Sequence, residues 1–308
     1  IERSLSLSNG SISMIVPIAL VCTQRMVITQ EQLEQNRTIW YSNYAWRPAH
    51  LFDNVSRALT IFIAHKNTER KKFTTHYIKW KSEVRNTLFL NIHYEEYSDE
   101  RSSFWMPKFQ SIIEKSIMSK VICSDSSIAN YLTTNSSNYV YYRTTGGVYW
   151  KSITTWSPKF TCNGVAMKSS RETTLKFVNS TVSNCISGIL SSCVFWWWYS
   201  VTANLRDLNP SDIFGFRFND KCVHDAELNR LSKIYQRDLN KNSIMQIRMQ
   251  KTKGETCTQL FKVGLSKPII DEIDKVLAKH YGFTEEELDF IINYDIKYRM
   301  GDELNEEE

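Results

Sequence analysis

Short apolar runs bounded by polar turn residues dominate the first 90 residues of the chain. Residues 11–17, 39–44 and 59–64 are rich in β-branched and aromatic side chains, which is typical of strands, whereas residues 24–35 have the spacing of a helix. A helix placed among strands predicts an α/β fold with a doubly wound sheet. Since only a few strands are present, we expect region 1–90 to hold the C-terminal part of such a sheet.

Region 91–265 contains both kinds of periodicity. Residues 109–120, 184–201 and 225–250 are predicted to be helices, and residues 175–178 a short strand. Between residues 138 and 153 the side chains alternate as in a hairpin, and the alternation breaks at Gly146 and Gly147. The run of aromatic residues at 195–199 is predicted to lie in the core. The region therefore has the pattern of an α+β domain.

Region 266–308 is predicted to be a helical tail. Ser266 and Pro268 mark the start of a first helix, and Gly282 marks its end. Thr284 and Glu287 have the spacing of a capping box for a second helix. Both helices have an apolar stripe, so we expect them to serve structural packing.

A long uncharged stretch lies between Lys176 and Arg206. Because Asn, Ser and Thr recur in its first half, it predicts a buried helix rather than a membrane span. The seven cysteines include no C-x-x-C pair, which argues against a zinc site. We expect free thiols, no metal and a cytoplasmic location.

Positive charge is concentrated in the middle of the chain. Residues 101–265 carry 21 Lys and Arg against 10 Asp and Glu, a net charge of +11, whereas residues 266–308 carry 5 against 13, a net charge of −8. Aromatic residues are interleaved with the basic ones, as in modules that bind nucleic acid. A generally basic protein surface would give the same count, so charge leaves both interpretations open.

The chain shows no catalytic motif of its own. It contains neither a G-x-G-x-x-G sequence nor a P-loop, and its six histidines are not grouped at metal-ligand spacing. A dispersed catalytic triad cannot be recognised from spacing. Any function has to be inferred from other features.

Five segments carry a resemblance to a known family. In chain order they are NGSISMIVPIAL, YSNYAWRPAHLFDNVSRALTIFIAHK, YYRTTGGVYWK, FWWWYSVTANLRDLNPSDI and DEIDKVLAKHYGFTEEELDFIINYDIKYRMG. Together they resemble the C-terminal half of adenine-specific (N6) DNA methyltransferases of restriction-modification systems, the type IIG group and its Taq-type relatives. The resemblance implies the last strands of a Rossmann-like methyltransferase sheet in 1–90, a DNA target recognition domain in 91–265 and a helical tail in 266–308.

The chain departs from this family in its chemistry. The family binds S-adenosylmethionine with an F-x-G-x-G-like turn and holds the target amino group with an N-P-P-Y-type tetrapeptide, and this sequence has neither. Asn209-Pro210-Ser211 does not replace the tetrapeptide because it lacks the second proline and the aromatic residue. We therefore expect S-adenosylmethionine to be bound mainly by a missing N-terminal part or by a partner chain.

The resemblance also assigns candidate site residues. Phe52 lies where the family carries an aromatic residue that stacks on the flipped adenine, although a ring here could equally cover the end of the sheet. The other candidates are predicted DNA contacts, with solvated surface positions as the alternative: Arg47, Arg57, Arg143, Thr144, Thr145, Gly146, Gly147, Tyr149, Trp150, Lys151 and Arg206. Arg206 could instead belong to a helix cap.

The expected function is methyl transfer from S-adenosylmethionine to adenine N6 in double-stranded DNA, inside a bacterial or archaeal cytoplasm, with this chain as the recognition half. One alternative is a stand-alone DNA-specificity subunit without catalysis. Another is an unrelated basic structural protein without sequence preference.

Overall fold

The structure is a computed structural model that describes residues 1–97, 105–146, 149–252 and 254–300. The chain divides into two compact units, of which the first comprises Ile1–Lys115 with Tyr199–Asn204 and the second comprises Ser116–Trp198 with the described residues from Leu205 onward. Helices and several separate sheets occur together, which confirms the α/β class at this coarse level. The domain boundaries after residues 90 and 265 stay predictions.

The first unit is built on a five-stranded sheet. Its elements in chain order are α1 (Glu2–Leu7), β1 (Ser11–Pro17), α2 (Ala19–Cys22), α3 (Val27–Glu34), β2 (Arg37–Tyr44), β3 (Leu59–Lys66), β4 (Lys71–Ile78), β5 (Glu95–Glu96) and the start of α4 (Ile112–Ile122). Turns of 3₁₀ helix cover Gln24–Met26 and Ser82–Asn91.

The strand order of this sheet is β1-β3-β2-β4-β5. β3 is antiparallel to both β1 and β2, whereas β2 and β4 run parallel and β5 is antiparallel to β4. β2 occupies the centre and is buried at six of its eight positions, as expected of a strand covered on both faces. A doubly wound, largely parallel arrangement of the complete sheet stays a prediction.

The three strands predicted in the first unit are confirmed, but β4 was missed. Its sequence, Lys71–Ile78, begins with two lysines and carries Thr74, Thr75 and His76, so it has no apolar run. Tertiary contacts stabilise it instead, because the Asn43 amide donates to the Thr75 hydroxyl over 3.0 Å. Thr60 in turn donates to the Asn43 side chain over 2.9 Å, which satisfies these buried polar groups.

The second unit contains three smaller sheets and most of the helices. Its elements are the rest of α4, β6 (Ser126–Ser127), β7 (Asn138–Arg143), β8 (Ile153–Thr154), β9 (Phe160–Cys162), β10 (Val165–Ala166), β11 (Glu172–Phe177), α5 (Ser180–Ser191), α6 (Cys193–Thr202) up to Trp198, α7 (Pro210–Phe214), β12 (Arg217–Phe218), α8 (Ala226–Lys241), β13 (Ser243–Gln250), β14 (Gly254–Phe261), α9 (Lys267–Tyr281), α10 (Glu285–Asn293) and α11 (Ile296–Arg299). Turns of 3₁₀ helix cover Ile128–Tyr131, Asp220–His224 and Val263–Ser266.

The sheets of this unit are β10-β9-β14-β13, β11-β7-β8 and β12-β6, and all their described pairings are antiparallel. The predicted hairpin is confirmed, since β7 pairs with β8 and Tyr142 lies opposite Ile153. Its connection is long and covers residues 144–152. We refer to this connection as the hairpin loop.

Two helix predictions need correction. The helix predicted at 184–201 is two helices that meet at Ser192, because the Asp274 carboxylate accepts from the amides of Cys193 and Val194 and caps a new helix there. The helix predicted at 225–250 ends at Lys241 and continues as β13. Asn242 ends the helix, and the apolar residues after it recur every second position, which is the period of a strand.

The aromatic run at 195–199 lies in the core as predicted, with no ring more than 4% exposed. Rings from several directions surround it: Phe216 packs edge-on against Phe195 at 5.3 Å, and the Arg299 guanidinium lies 5.4 Å from the Trp196 ring. Burying a helix on every side requires such neighbours.

The predicted helical tail is largely confirmed. Gly282 ends α9 in the left-handed region with φ +67°, and Thr284 with Glu287 forms the predicted capping box of α10. Ser266 is the N-cap residue of α9, as predicted, but its side chain makes no capping hydrogen bond. Its hydroxyl donates to the Asp238 carboxylate over 2.7 Å rather than accepting from the first turn of α9.

Candidate nucleic-acid interface

A cavity of about 770 Å³ lies in the second unit, and we call it the recognition cavity. Its walls come from the hairpin loop, from β13 and β14, from the residues before β11 and from the end of α11. Six of the predicted DNA-contacting residues line it: Arg143, Thr145, Gly146, Tyr149, Trp150 and Lys151. The fold therefore gathers most of the hairpin candidates around one space.

The lining of this cavity is strongly basic. Its charged residues are Arg143, Lys151, Arg171, Arg248, Lys262 and Arg299, and no Asp or Glu is among the described lining residues. Of these, Arg171, Arg248 and Lys262 are exposed, and exposed cations around a concave surface focus a positive potential into it. The electrostatics of the cavity therefore suit a polyanion.

Three arginines form the densest part of this charge. Burial lowers the pKa of Arg143, and the nearby positive charges of Arg171 and Arg248 lower it further, while Glu172 opposes the shift. The Arg143 Nε atom is buried and has no hydrogen-bond partner within the described residues. A half-buried guanidinium with an unsatisfied donor and two like-charged neighbours favours the binding of an anion.

Backbone contacts fix the hairpin loop at its base. The Thr144 amide donates to the Arg171 carbonyl over 3.0 Å, and the Leu208 amide donates to the Thr144 carbonyl over 2.8 Å. Thr145 forms an isolated antiparallel β-bridge with Asp207. Gly146 has φ +88° with open space around it, so within the described structure itself it is the backbone conformation that favours glycine.

Lys151 lines the recognition cavity and also contacts the loop itself. Its side chain is buried, and its ammonium donates to the Gly146 carbonyl over 2.8 Å across the loop. Burial lowers its pKa to about 8, against the opposing effect of Asp207 and Asp212. Lys151 therefore supports the loop, and its predicted DNA contact stays a prediction.

The C-terminal segment holds the far side of the loop, which the sequence did not indicate. The Trp150 indole donates to the Arg299 carbonyl over 2.8 Å, and the Arg299 guanidinium lies 3.7 Å over the Trp150 ring. Tyr298 stacks on Tyr149 with ring centroids 6.3 Å apart. The only signal in the sequence was the basic-aromatic KYR in an otherwise acidic tail, and it does not indicate which surface it contacts.

Arg299 contacts a buried polar cluster that includes Cys193 and Asp274. Its guanidinium contacts Cys193 Sγ at 3.3 Å, and burial raises the pKa of Cys193 to about 12 and that of Asp274 to about 6. The side chains of Cys193, Asp271 and Asp274 lie close enough together to hold a metal ion. Asp271 pairs with Lys267, Asp274 accepts two helix amides, and the thiol stays protonated, so protein donors already satisfy this cluster.

The loop after β2 carries the candidates of the first unit. Phe52 is 40% exposed, whereas the preceding Leu51 is buried in the cluster that includes Tyr44 and Trp80. Arg85 fixes the backbone by donating to the carbonyls of His50 and Leu51 over 3.0 and 2.8 Å. The Phe52 ring therefore extends from a loop whose backbone is well anchored just before it.

The remaining candidates are exposed or lie elsewhere. The Arg47 guanidinium packs 4.4 Å over the Trp46 ring, and Arg57 is exposed. Arg206 is exposed, with its Nε 3.9 Å from the Asp207 carboxylate, and it is not among the residues that line the recognition cavity. Gly147 lies outside the described residues.

Asn209 has a structural role that matches its sequence context. It forms a capping box with Asp212 at the start of α7, where Pro210 occupies the first turn. Its side chain is therefore committed to a helix end.

Comparison of the chain with models of known protein families gave no match, and comparison with curated proteins gave none either. Among the described residues, no helix has both the length and the apolar character needed to cross a membrane.

Proposed function

We propose that this chain provides the DNA recognition of a site-specific adenine-N6 DNA methyltransferase from a restriction-modification system. The observation that carries the proposal is the recognition cavity, in which six basic residues and no acidic residue among those described surround a glycine-containing loop. One of the five segments that resemble the methyltransferase family, YYRTTGGVYWK, contains most of this loop. A basic structural protein gives no reason for this convergence.

The cavity offers both kinds of contact that a recognition domain needs. Arg143 can present two parallel N–H donors to the N7 and O6 atoms of guanine in the major groove. Arg171 and Arg248, both exposed, can neutralise phosphates, which fixes the register without reading sequence. Gly146 allows a close approach of the backbone because no side chain projects there.

The first unit offers a surface for the flipped base. β2 and β4 run parallel, and the loop with Phe52 follows the C-terminal end of β2, the end at which α/β sheets bind their ligands. An exposed aromatic face offsets part of the stacking that adenine loses on leaving the duplex. In this proposal Phe52 stacks on the adenine, and Arg47 and Arg57 lie close enough in sequence to contact the adjacent backbone.

The chemistry of methyl transfer requires groups beyond this chain. S-adenosylmethionine supplies the methyl group, and an N-P-P-Y-type tetrapeptide holds the adenine amino group so that its lone pair can attack. The sequence contains no such tetrapeptide, and its Asn209-Pro210 pair is a helix cap. We therefore expect no methylation by this chain alone. Transfer of tritiated methyl to DNA by the purified 308-residue protein would contradict that expectation.

Selection from a pool of random duplexes tests the recognition claim. Sequencing of the bound DNA should show enrichment of one short motif, with a preference of several kcal/mol over scrambled DNA. Arg143→Gln should relax the preference at one base position, because glutamine cannot form the bidentate hydrogen bonds to guanine. Arg230→Gln is the control, since Arg230 pairs with Glu227 on the surface of α8 and does not line the cavity. Equal binding to all sequences by the unaltered protein would overturn the proposal.

A further inference from the structure

A second cleft lies in the same unit, outside every segment that carries the family resemblance. It has a volume of about 470 Å³. The side chains important for its chemistry are Trp156, Lys159, Asn184, Lys233, Arg237 and Asn240, and no Asp or Glu is among its described lining residues. Three cations, two amides and one indole ring thus surround the space.

The cations of this cleft differ from the other charges on the same helix. Arg230 of α8 forms a two-point contact with Glu227, with both distances at 2.7 Å. Lys233 and Arg237 follow at one-turn spacing, and neither forms an ion pair within the described ranges. They are exposed on the face of the helix that lines the cleft, where their like charges repel unless an anion lies between them.

A buried glutamine joins the floor of the cleft to α8. Gln236 lies between the two cations in sequence and is 5% exposed. Its Oε1 accepts from the Thr155 amide over 3.1 Å, and its Nε2 donates to the Ile153 carbonyl over 3.1 Å. The segment after β8 is therefore fastened to α8, and the cations of the helix stay next to the lysine of that segment, Lys159.

The cleft and the recognition cavity share a wall. The Lys159 amide donates to the Gln259 side chain over 3.0 Å, and the Gln259 amide donates to the Lys159 carbonyl over 2.9 Å. Trp156 meets Phe261 edge-on with ring centroids 6.2 Å apart. Lys159 and Trp156 line the cleft, whereas Gln259 and Phe261 line the recognition cavity, so one layer of side chains separates the two basic spaces.

We infer that this second cleft binds phosphate groups of the same nucleic acid, at nucleotides flanking those read in the recognition cavity. The inference rests on the proposed function. If the recognition cavity holds DNA, the shared wall lets the same duplex reach the second cleft. Ammonium, guanidinium and amide donors without carboxylates match the phosphate oxygens. A free phosphate or mononucleotide has the same chemistry and is the other source to be tested.

The test removes two charges from the cleft and, separately, two from elsewhere on the same helix. The cleft variant is Lys233→Gln with Arg237→Gln. The matched control is Arg230→Gln with Lys241→Gln, which makes the same change of net charge at exposed positions of α8 that do not line either cavity. Affinity for a duplex of about 30 base pairs, long enough to reach past a short recognition site, is measured by fluorescence anisotropy over a range of salt concentrations.

If the cleft holds phosphates, the slope of log affinity against log salt becomes shallower by about 0.9 for each phosphate that the cleft variant no longer neutralises. The selected recognition motif stays the same, because phosphate contacts carry no direct sequence information. An unchanged slope, equal to that of the control variant, would overturn the inference while leaving the recognition cavity intact.

Two further measurements separate the sources of phosphate and the two proposals. Equilibrium dialysis with inorganic phosphate should show no tight site; tight binding that the cleft variant abolishes, together with an unchanged DNA slope, would assign the cleft to a free ligand and overturn the nucleic-acid inference. A protein that binds DNA with a cleft-dependent slope but selects no motif would contradict the proposed function while retaining phosphate binding at the cleft.

Discussion

Two loops, one in each unit, carry most of the predicted contacts, and different groups hold them in place. The loop after β2 is held through its backbone by Arg85, which leaves the Phe52 ring 40% exposed. The hairpin loop is held by backbone contacts at its base and also through its aromatic side chains, since Trp150 donates to the Arg299 carbonyl and lies against its guanidinium. An aromatic residue in a polar loop is thus available to a ligand in the first case and serves as an anchor in the second.

The difference indicates which groups of each loop can meet a ligand. In the loop after β2 the aromatic face itself is offered, as base stacking requires. In the hairpin loop the rings are occupied, and what remains for a ligand is the backbone around Gly146 together with Arg143, Arg171 and Arg248 of the neighbouring segments. In the proposed function, the same residue types therefore form a stacking platform at one site and a frame for hydrogen-bond readout at the other.

The largest expected effect is on folding stability and depends on pH. It comes from Asp274, which lies in the buried cluster that Arg299 contacts. Because burial raises the pKa of Asp274 to about 6, the folded state holds this proton more tightly than the unfolded state. The contribution of this group to the free energy of unfolding is fully present below pH ~4 and is lost as the pH rises through about 6. The total loss is roughly 3 kcal/mol, since the pKa differs by about two units between the folded and unfolded states. Asp274→Asn should remove this dependence from urea unfolding curves. A variant with the same pH profile as the unaltered protein would show that Asp274 is not responsible.

Arg299→Ala comes next, because it removes the guanidinium that contacts Trp150 and Cys193. We expect a decrease of about 2 kcal/mol in the free energy of unfolding, since a buried cation–π contact and a hydrogen bond disappear together. Arg230→Ala, which breaks only an exposed ion pair, should cost less than ~1 kcal/mol. Similar decreases in both variants would mean that the C-terminal segment does not anchor the hairpin loop.

A smaller effect is expected at Gly146. Alanine there must adopt φ +88°, which costs about 1 kcal/mol for an L-residue although no atom lies within 4 Å of the new Cβ. Gly10→Ala is the control, because Gly10 also has open space but no positive φ. Thermal unfolding of the two variants should differ by this amount. Equal midpoints would remove backbone conformation as the reason for glycine at this position.

Phe52→Ala should leave folding stability within about 0.5 kcal/mol, because the ring is partly exposed. Its binding effect is expected to be about 1 kcal/mol, the contribution of one base stacked on an aromatic ring. The readout is the fluorescence of 2-aminopurine placed at the target adenine of the selected motif, which stacking quenches. Phe89→Ala, which removes another exposed phenylalanine of this unit, should not change the quenching. An equal change of fluorescence in both variants would mean that Phe52 is not the stacking residue.

Local patterns identified part of the candidate site. The alternation around Gly146 and Gly147 predicted the hairpin, and the family resemblance directed attention to Phe52. Arg171 and Arg248 were not identified because each lies in an ordinary polar context, 28 and 105 residues along the chain from Arg143. Their place at the recognition cavity depends on the pairing of β11 with β7 and on the position of β13, which are contacts between residues far apart in sequence.

The sequence by itself determined the features that depend on neighbouring residues: the capping box of Thr284 and Glu287, the glycine end of α9, the three predicted strands of the first unit and the burial of an uncharged aromatic helix. These follow from backbone geometry and side-chain period, which act over a few residues. Only the tertiary structure decided that Lys151 supports a loop, that Arg299 anchors Trp150 and that two basic spaces share a wall. Those outcomes depend on which distant polar groups are buried together, because burial makes each unsatisfied donor costly enough to select its partner.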